Sequence, residues 1–446
     1  MSHYKPYPAY QDSGVEWIGE VPAHWEVKPI CRVASCNDDA LPEGTPLNEM
    51  LRYVDISAVN HTDGITQVTE VFFADAPSRA RRKAKSGDVV VSTVRTYLKA
   101  VAAVTDTYAN CIYSTGFAVL RALRPHMEPT FLKWMMLNEL LIQAIEAHSE
   151  GLSYPAINAT ELVKLKTIVP PLAEQTAIAA ALSHEISRID ALITKKTTFI
   201  ELLKEKRSAL VTHAVTKGLD PNAKMKDSGV EWIGEVPDGW EVKPICRVAS
   251  CNDDALSENT SADAVLRYVD ISAVNHTDGI THVTEVRFAD APSRARRQAK
   301  SGDVVVSTVR TYLKAVAAVT EDYAGCIYST GFAVLRARNA QVDPAFLKWM
   351  ALNDLLIQAI EAHSEGLSYP AINATELVKL KAVVPPLTEQ STIAAFLDRE
   401  TARIDALTAK AQRSIDLLKE RRSAFITAAV TGRIDVRDHA VTVGAA

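Results

Sequence analysis

The feature that most constrains this chain is that it is one unit written twice. Asp12-Ser13-Gly14-Val15-Glu16-Trp17-Ile18-Gly19-Glu20-Val21-Pro22 returns as Asp227 to Pro237, an offset of 215 residues. The offset holds without a gap from Asp12–Thr216 to Asp227–Thr431, and 160 of the 205 aligned positions, about 78%, are identical. A period this long is not that of a solenoid repeat. Each copy is large enough for a domain plus a connector. Divergence is uneven. Between Leu51 and Arg121 only six positions differ: Gln67/His282, Phe72/Arg287, Lys83/Gln298, Asp106/Glu321, Thr107/Asp322 and Asn110/Gly325. A recent duplication and a task shared by both copies each account for that pattern.

Within a unit, the first part reads as α/β. Val89 to Val94 is a β-branched run entered through the turn Ser86-Gly87-Asp88. Further strand candidates are Leu51–Ile56, Val68–Phe73, Cys111–Tyr113, Phe117–Leu120 and Val163–Val169. Apolar spacing places one helix over about Phe131–Ala147, and Gly151 and Pro155 break the chain after it. The second part reads as a single long helix. Pro170-Pro171-Leu172-Ala173-Glu174-Gln175 puts proline at its start and an acid in its first turn, and no glycine follows until Gly218. Ile178, Leu182, Ile186, Ile189, Ile193, Ile200, Leu203, Leu210 and Ala214 step by threes and fours, interrupted at Lys196 and Arg207. Ile393, Leu397, Ile404, Ile415, Leu418 and Phe425 answer them in the second copy. This is a coiled-coil seam whose natural partner is the other copy.

Connectivity favours antiparallel pairing, because the second globular part begins where one helix ends and ends where the other begins. The expected fold class is α+β: two similar α/β domains joined by two long antiparallel coiled-coil helices, an internal repeat with pseudo-two-fold symmetry. The expected boundaries are 1–169 and 219–384 for the domains, 170–218 and 385–433 for the helices, and 434–446 for a tail.

Composition narrows the function. No stretch approaches the roughly 18 apolar residues of a membrane helix, and the start lacks a signal-peptide plan. Cys31, Cys36, Cys111, Cys246, Cys251 and Cys326 form no C-x-x-C and have no histidine at metal-ligand spacing. They read as reduced, partly buried thiols of a cytoplasmic protein, with no metal site. A net charge of −5 excludes a uniformly basic nucleic-acid binder, so any DNA contact must rest on local positive charge. The chain lacks Asn-Pro-Pro-Tyr/Phe, G-x-G-x-x-G, a P-loop and G-x-S-x-G. His24 and His184 have no counterpart in the second copy, while His61/His276 and His148/His363 carry no catalytic spacing. No catalytic residue is expected.

Two segments carry binding chemistry. From Arg79 to Lys99 stand Arg79, Arg81, Arg82, Lys83, Lys85, Arg95 and Lys99 against Asp88 alone, a local +6. The second copy has Arg294, Arg296, Arg297, Lys300, Arg310 and Lys314 against Asp303, a local +5. Such clusters neutralise phosphates, and arginine also reads guanine. Ser92, Thr93, Thr96 and Tyr97, with Ser307, Thr308, Thr311 and Tyr312, add hydrogen-bonding groups. The second segment is the loop Ser149–Asn158, repeated at Ser364–Asn373, with Ser153, Tyr154, Asn158, Ser368, Tyr369 and Asn373 as candidate contacts. A solvated basic turn and a plain helix-to-strand turn are the bland alternatives.

Taken in order, these segments resemble the specificity subunits of Type I restriction–modification systems. The resemblance rests on Trp17, Pro22 and Trp25 of the opening, on Gly87-Asp88-Val89-Val90, and on the loop Ser153–Asn158. Ile168 to Gln175 and Leu202 to Leu210 complete it, and the whole set recurs in the second copy. The resemblance implies two target-recognition domains reading a bipartite DNA site and a helical spacer that docks two modification subunits. It implies no cofactor on this chain: S-adenosylmethionine, ATP and magnesium would sit on the modification and the restriction/translocase subunits. Where family members usually carry dissimilar domains, these two are nearly the same, which points to an interrupted palindrome or close to it. Phe72/Arg287 and Lys83/Gln298 are the expected sources of any difference between half-sites. The alternatives are a nuclease with degenerate motifs and a coiled-coil scaffold with protein-binding heads.

Overall fold

The computed structural model describes residues 4–338, 340–366 and 368–437, so most of the expected tail, 438–446, lies outside the described residues. The chain divides into two compact units. One is Met1–Lys196 with Arg413–Ala446, and the other is Thr197–Gln412. Each unit therefore contains one globular head, the first half of one long helix and the closing half of the other.

The first head is built on two four-stranded sheets. One runs Val101–Ala103, Val89–Ser92, Phe117–Ala122, Ala34–Cys36, all antiparallel. The other runs Thr69–Phe72, Met50–Val54, Ile112–Ser114, Ala80–Lys83, with Met50–Val54 parallel to Ile112–Ser114. The valine run forms a central strand because both of its faces are covered. Val89 and Val91 join a core shared with the helices, and Val90 joins a second core with Val54, Ile56 and Tyr113. Alternate residues of a strand point to opposite faces, so a strand buried on both sides must be apolar at every position. Asp88 at the strand entry is buried, accepting Lys85 N–H at 2.7 Å and a two-pronged contact from Arg121 at 2.9 and 2.7 Å. The one acid of the basic segment is thus occupied by an arginine from outside it.

The single helix expected over Phe131–Ala147 is two helices, Pro129–Met136 and Glu139–Ala147. Buried Asn138 separates them because its side chain accepts the Leu140 N–H and caps the second helix. The strand expected over Val163–Val169 starts only at Lys166 and runs Lys166–Val169, after a short helix Ala159–Leu162. Cys31 and Cys246 are exposed rather than partly buried, and all six cysteines are free.

The second head repeats the plan. Its sheets run Ala249–Cys251, Phe332–Ala337, Val304–Ser307, Val316–Ala318 and Thr284–Arg287, Val265–Val269, Ile327–Ser329, Ala295–Gln298.

The long helices are Leu172–Lys217, 46 residues, and Leu387–Val430, 44 residues. In the first unit Ile178, Leu182, Ile186 and Ile189 share a core with Phe425, Ile426, Ala429 and Val430. There Glu174 pairs with Arg437 just past the second helix at 3.3 Å and Glu185 pairs with Arg421 at 2.7 Å, which fixes an antiparallel sense. In the second unit Arg207 pairs with Asp405 at 3.1 Å, while Trp240, beside Gly218, donates to Glu389 at 2.9 Å. The sense is again antiparallel. Asp190–Arg422 in the first unit and Arg207–Asp405 in the second are one ion pair with its partners exchanged.

The Glu-Gln at each helix start anchors the head. Buried Gln175 accepts from Glu128 N–H and donates to the His126 and Pro170 carbonyls, while Glu174 accepts from the Trp25 indole at 3.0 Å. Gln390 and Glu389 do the same for the second head. Among the described residues no helix is long and apolar enough to cross a membrane.

Candidate nucleic-acid interface

The two segments singled out in the sequence form one surface. Val94 bridges to Ala156, Ile157 N–H donates to the Thr93 carbonyl at 2.8 Å, and the Thr96 hydroxyl donates to Ser149 Oγ at 2.8 Å. The loop closes on itself through two backbone bonds between Glu150 and Ala156, at 2.8 and 2.9 Å. Gly151 allows this closure with φ of +110°. Residues some 55 positions apart thereby present a single face, and the second head repeats it with Val309–Ala371, Ile372 to Thr308 and Thr311 to Ser364.

At the centre of this face is the short turn Thr96–Leu98. It is flanked by Arg95 at φ +50° and Lys99 at φ +49°, both left-handed without being glycine. The second head matches at Arg310 and Lys314, φ +49° and +50°. Each such residue costs roughly 1–2 kcal/mol, and retained strain of this kind gathers at functional sites. Arg95 lies over the exposed Tyr154 ring at 5.4 Å, and Arg310 lies over Tyr369 at 5.4 Å. Ser153 and Asn158, with Ser368 and Asn373, are exposed on the same loops.

The basic run is less free than its spacing implies. Arg79 donates to Asp55 at 2.6 Å and to the Tyr53 hydroxyl at 3.1 Å, contacts that raise its pKa. Lys85 sits 3.4 Å from Asp39, and Lys99 pairs with Glu139. Arg81 packs over Phe73 at 5.0 Å, Arg82 is half-buried with a partnerless Nε, and Lys83 is exposed. Carboxylates from distant parts of the chain therefore answer three of the seven cations. In the second head Arg294 pairs with Asp270 at 2.6 Å, Lys300 pairs with Asp254 at 3.0 Å, and Arg296 packs over Phe288. Arg297 keeps the partnerless Nε there too. Arg294 and Arg310 line one concavity of about 330 Å³ with Asp270, Val309, Ser329 and Thr330.

Three of the hydroxyls chosen from the sequence lie beneath the surface. Ser92 donates to the Val94 carbonyl, Thr93 donates to the Gly116 carbonyl at 2.9 Å, and Thr96 holds Ser149. Ser307, Thr308 and Thr311 are equally buried and occupied. They shape the turn rather than present donors, because a buried hydroxyl must find its partner inside. Sequence reasoning passed over what does protrude beside Tyr97: Leu98 and Leu152, with Leu313 in the second head. Selecting residues for polar chemistry hid them. The signal available was two apolar side chains inside turns rich in glycine, serine and proline.

This face is also where the copies agree. Residues 84–105 and 140–166 match their counterparts without a difference. Phe72 lies opposite Met50, at the end of its sheet away from Asp55 and Arg79, roughly 16 Å along the strand. Among the described residues no cluster of side chains could hold a metal ion.

Comparison with known proteins meets this geometry. Residues 296–416 match the family model described as the Type I restriction modification DNA specificity domain. A Methanocaldococcus jannaschii protein named as the MjaX type I restriction enzyme specificity subunit is 23% identical over 444 residues, covering 94% of this chain and 96% of its own. The EcoDI specificity subunit of Escherichia coli is 21% identical, over 68% of this chain and 70% of its own. A solved chain from work on complex assembly and conformational transition of the type I R-M system overlays with a TM-score of 0.69 at 24% identity, covering 92% of this chain and 98% of that one. The HsdS subunit of Thermoanaerobacter tengcongensis overlays at 0.50 and 23%, covering 93% and 98%.

Proposed function

From the premise that this chain is a two-copy member of the Type I restriction–modification specificity family, we propose that it is the DNA-reading subunit of such a complex. Each head reads one half of a bipartite site. The single observation that carries this reading is the composite face of the turn Arg95–Lys99 and the loop Ser149–Asn158, present with every residue unchanged in both heads. Arg95 and Arg310 are its exposed cations, suited to phosphate and guanine, while Arg294, held by Asp270, shares a concavity with Arg310. We assign no catalysis and no cofactor to this chain. S-adenosylmethionine, ATP and magnesium belong to the modification and restriction subunits that would assemble with it, the former on the long helices.

Two unchanged reading faces should read the same word. The proposed target is therefore an interrupted palindrome. Long-read methylation mapping in a host expressing this chain with its modification subunit tests it. The expected result is adenine methylation in a gapped inverted repeat. Two unrelated half-sites would refute the shared-word reading, and no sequence-specific methylation would refute the family assignment itself. DNA cleavage by the isolated chain would favour a nuclease instead.

A further inference from the structure

Eight large apolar or aromatic side chains are exposed on the first head: Leu47, Met50, Phe72, Tyr97, Leu98, Leu123, Leu152 and Tyr154. Their fates in the second copy divide them cleanly. Leu47, Met50, Phe72 and Leu123 become Ala262, Val265, Arg287 and Arg338. Tyr97, Leu98, Leu152 and Tyr154 stay as Tyr312, Leu313, Leu367 and Tyr369. The four that stay are the four on the composite face.

Exposed leucines add little to stability, and outside the composite face three of the four positions have become alanine or arginine while Val265 remains apolar and exposed. On the composite face the exposed side chains are also held still. Tyr97 and Leu98 sit between two left-handed residues, in a turn tied to the neighbouring loop by Thr96–Ser149 and Val94–Ala156. Arg95 stacked on Tyr154 sets a cation beside them. The hydroxyls of Ser92, Thr93 and Thr96 are buried, so the polar groups this face presents are those of Arg95, Ser153, Asn158 and the two tyrosines. Rigid apolar side chains beside a cation suit contact with base faces in addition to any polar contact with base edges.

We propose that the Tyr97–Leu98 turn, and Tyr312–Leu313 in the second head, insert as an apolar wedge at one base step of each half-site. The heads then read DNA partly through how readily that step opens. This inference rests on the DNA-reading assignment above and extends it to a mechanism of specificity. The occupant is duplex DNA, chosen because the exposed cation Arg95 opens the turn, and in the second head Arg310 lines one concavity with Arg294.

The test uses the full chain assembled with its modification subunit, without S-adenosylmethionine, on duplexes carrying 2-aminopurine scanned through the methylated motif. With the methylated adenine itself left out of the scan, because a methyltransferase extrudes its target base, wild type should raise fluorescence several-fold at one further step in each half-site. The variant Y97A/L98A should abolish the rise in one half-site, and Y312A/L313A should abolish it in the other. L98M should retain it, since it keeps apolar bulk without a specific contact. Because all four side chains are exposed, the variants should melt as wild type does. Salt-dependent binding without any fluorescence rise, or a rise that survives both double variants, overturns the wedge and leaves DNA reading intact. Loss of assembly with the modification subunit in Y97A/L98A would assign the turn to a protein contact and overturn it equally. No binding to the motif at all would sink the DNA-reading assignment and the wedge with it.

Discussion

Two regions of each head have drifted differently. The loop at 42–50 differs from its counterpart at seven of nine positions, and Phe72, paired across from Met50, has become Arg287. The face made by 93–99 and 149–158 has not changed at all. Both regions are exposed loops, so solvent exposure does not explain the contrast. The lesson is that burial constrains cores while something outside the chain constrains the unchanged face, and the copies serve as each other's control. A smaller contrast follows the same logic. Glu139 holds Lys99, whereas Asp354, one methylene shorter, accepts from Ser208 on the long helix.

The largest expected effect separates the two regions outright. Replacing Arg95 and Arg310 with alanine should cost about 1–3 kcal/mol per half-site, roughly fivefold to 150-fold in affinity. Fluorescence anisotropy across a salt series reads it, and unchanged binding by the double variant would remove these arginines from the face. Next comes Gly116→Ala, whose new Cβ would lie 2.5 Å from Ile56 Cδ1 and 3.0 Å from Val94 Cγ2. We expect a loss of about 1–3 kcal/mol by overpacking, matched by Gly331→Ala in the second head. Unequal melting shifts would show that the heads do not share one core plan.

Ser208→Ala should cost about 1 kcal/mol by leaving Asp354 without its donor. Ser423, its counterpart in the first unit, lines a concavity with Glu139, and Ser423→Ala should cost less because Lys99 holds that carboxylate; equal chemical-denaturation midpoints would break that distinction. Burial pushes the imidazoles of His61 and His276 below their ordinary pKa, with Glu139 and Asp354 opposing. The unfolded chain then takes up protons that the folded chain resists. Stability should fall as pH drops through ~6.5 and level off once pH is below the folded value. H61Q/H276Q should flatten that part of a melting-temperature profile, and an unaltered slope would place its origin elsewhere. The smallest effect belongs to the drifted region: Phe72→Arg should change stability by less than about 0.5 kcal/mol. It should leave the methylated motif as it was, and a changed motif would move specificity to the far end of the sheet.

Much of this molecule is determined by sequence alone. The 215-residue offset dictates two like units. The valine run, and the three-four spacing after Pro170-Pro171 that is broken at Lys196 and Arg207, dictate a central strand and a long paired helix. Periodicity carries such elements because burial on a fixed face is a local property of the chain. Tertiary structure decided which charges and hydroxyls remain available. Asp55, Asp39 and Glu139 lie far in sequence from the cations they answer, and Thr96 meets Ser149 across 53 residues. Linear spacing holds no record of a partner brought in by folding, so a charge counted along the chain is an upper bound on the charge that faces a ligand. The same folding set the Leu98 turn beside the Leu152 loop and left both outside the core.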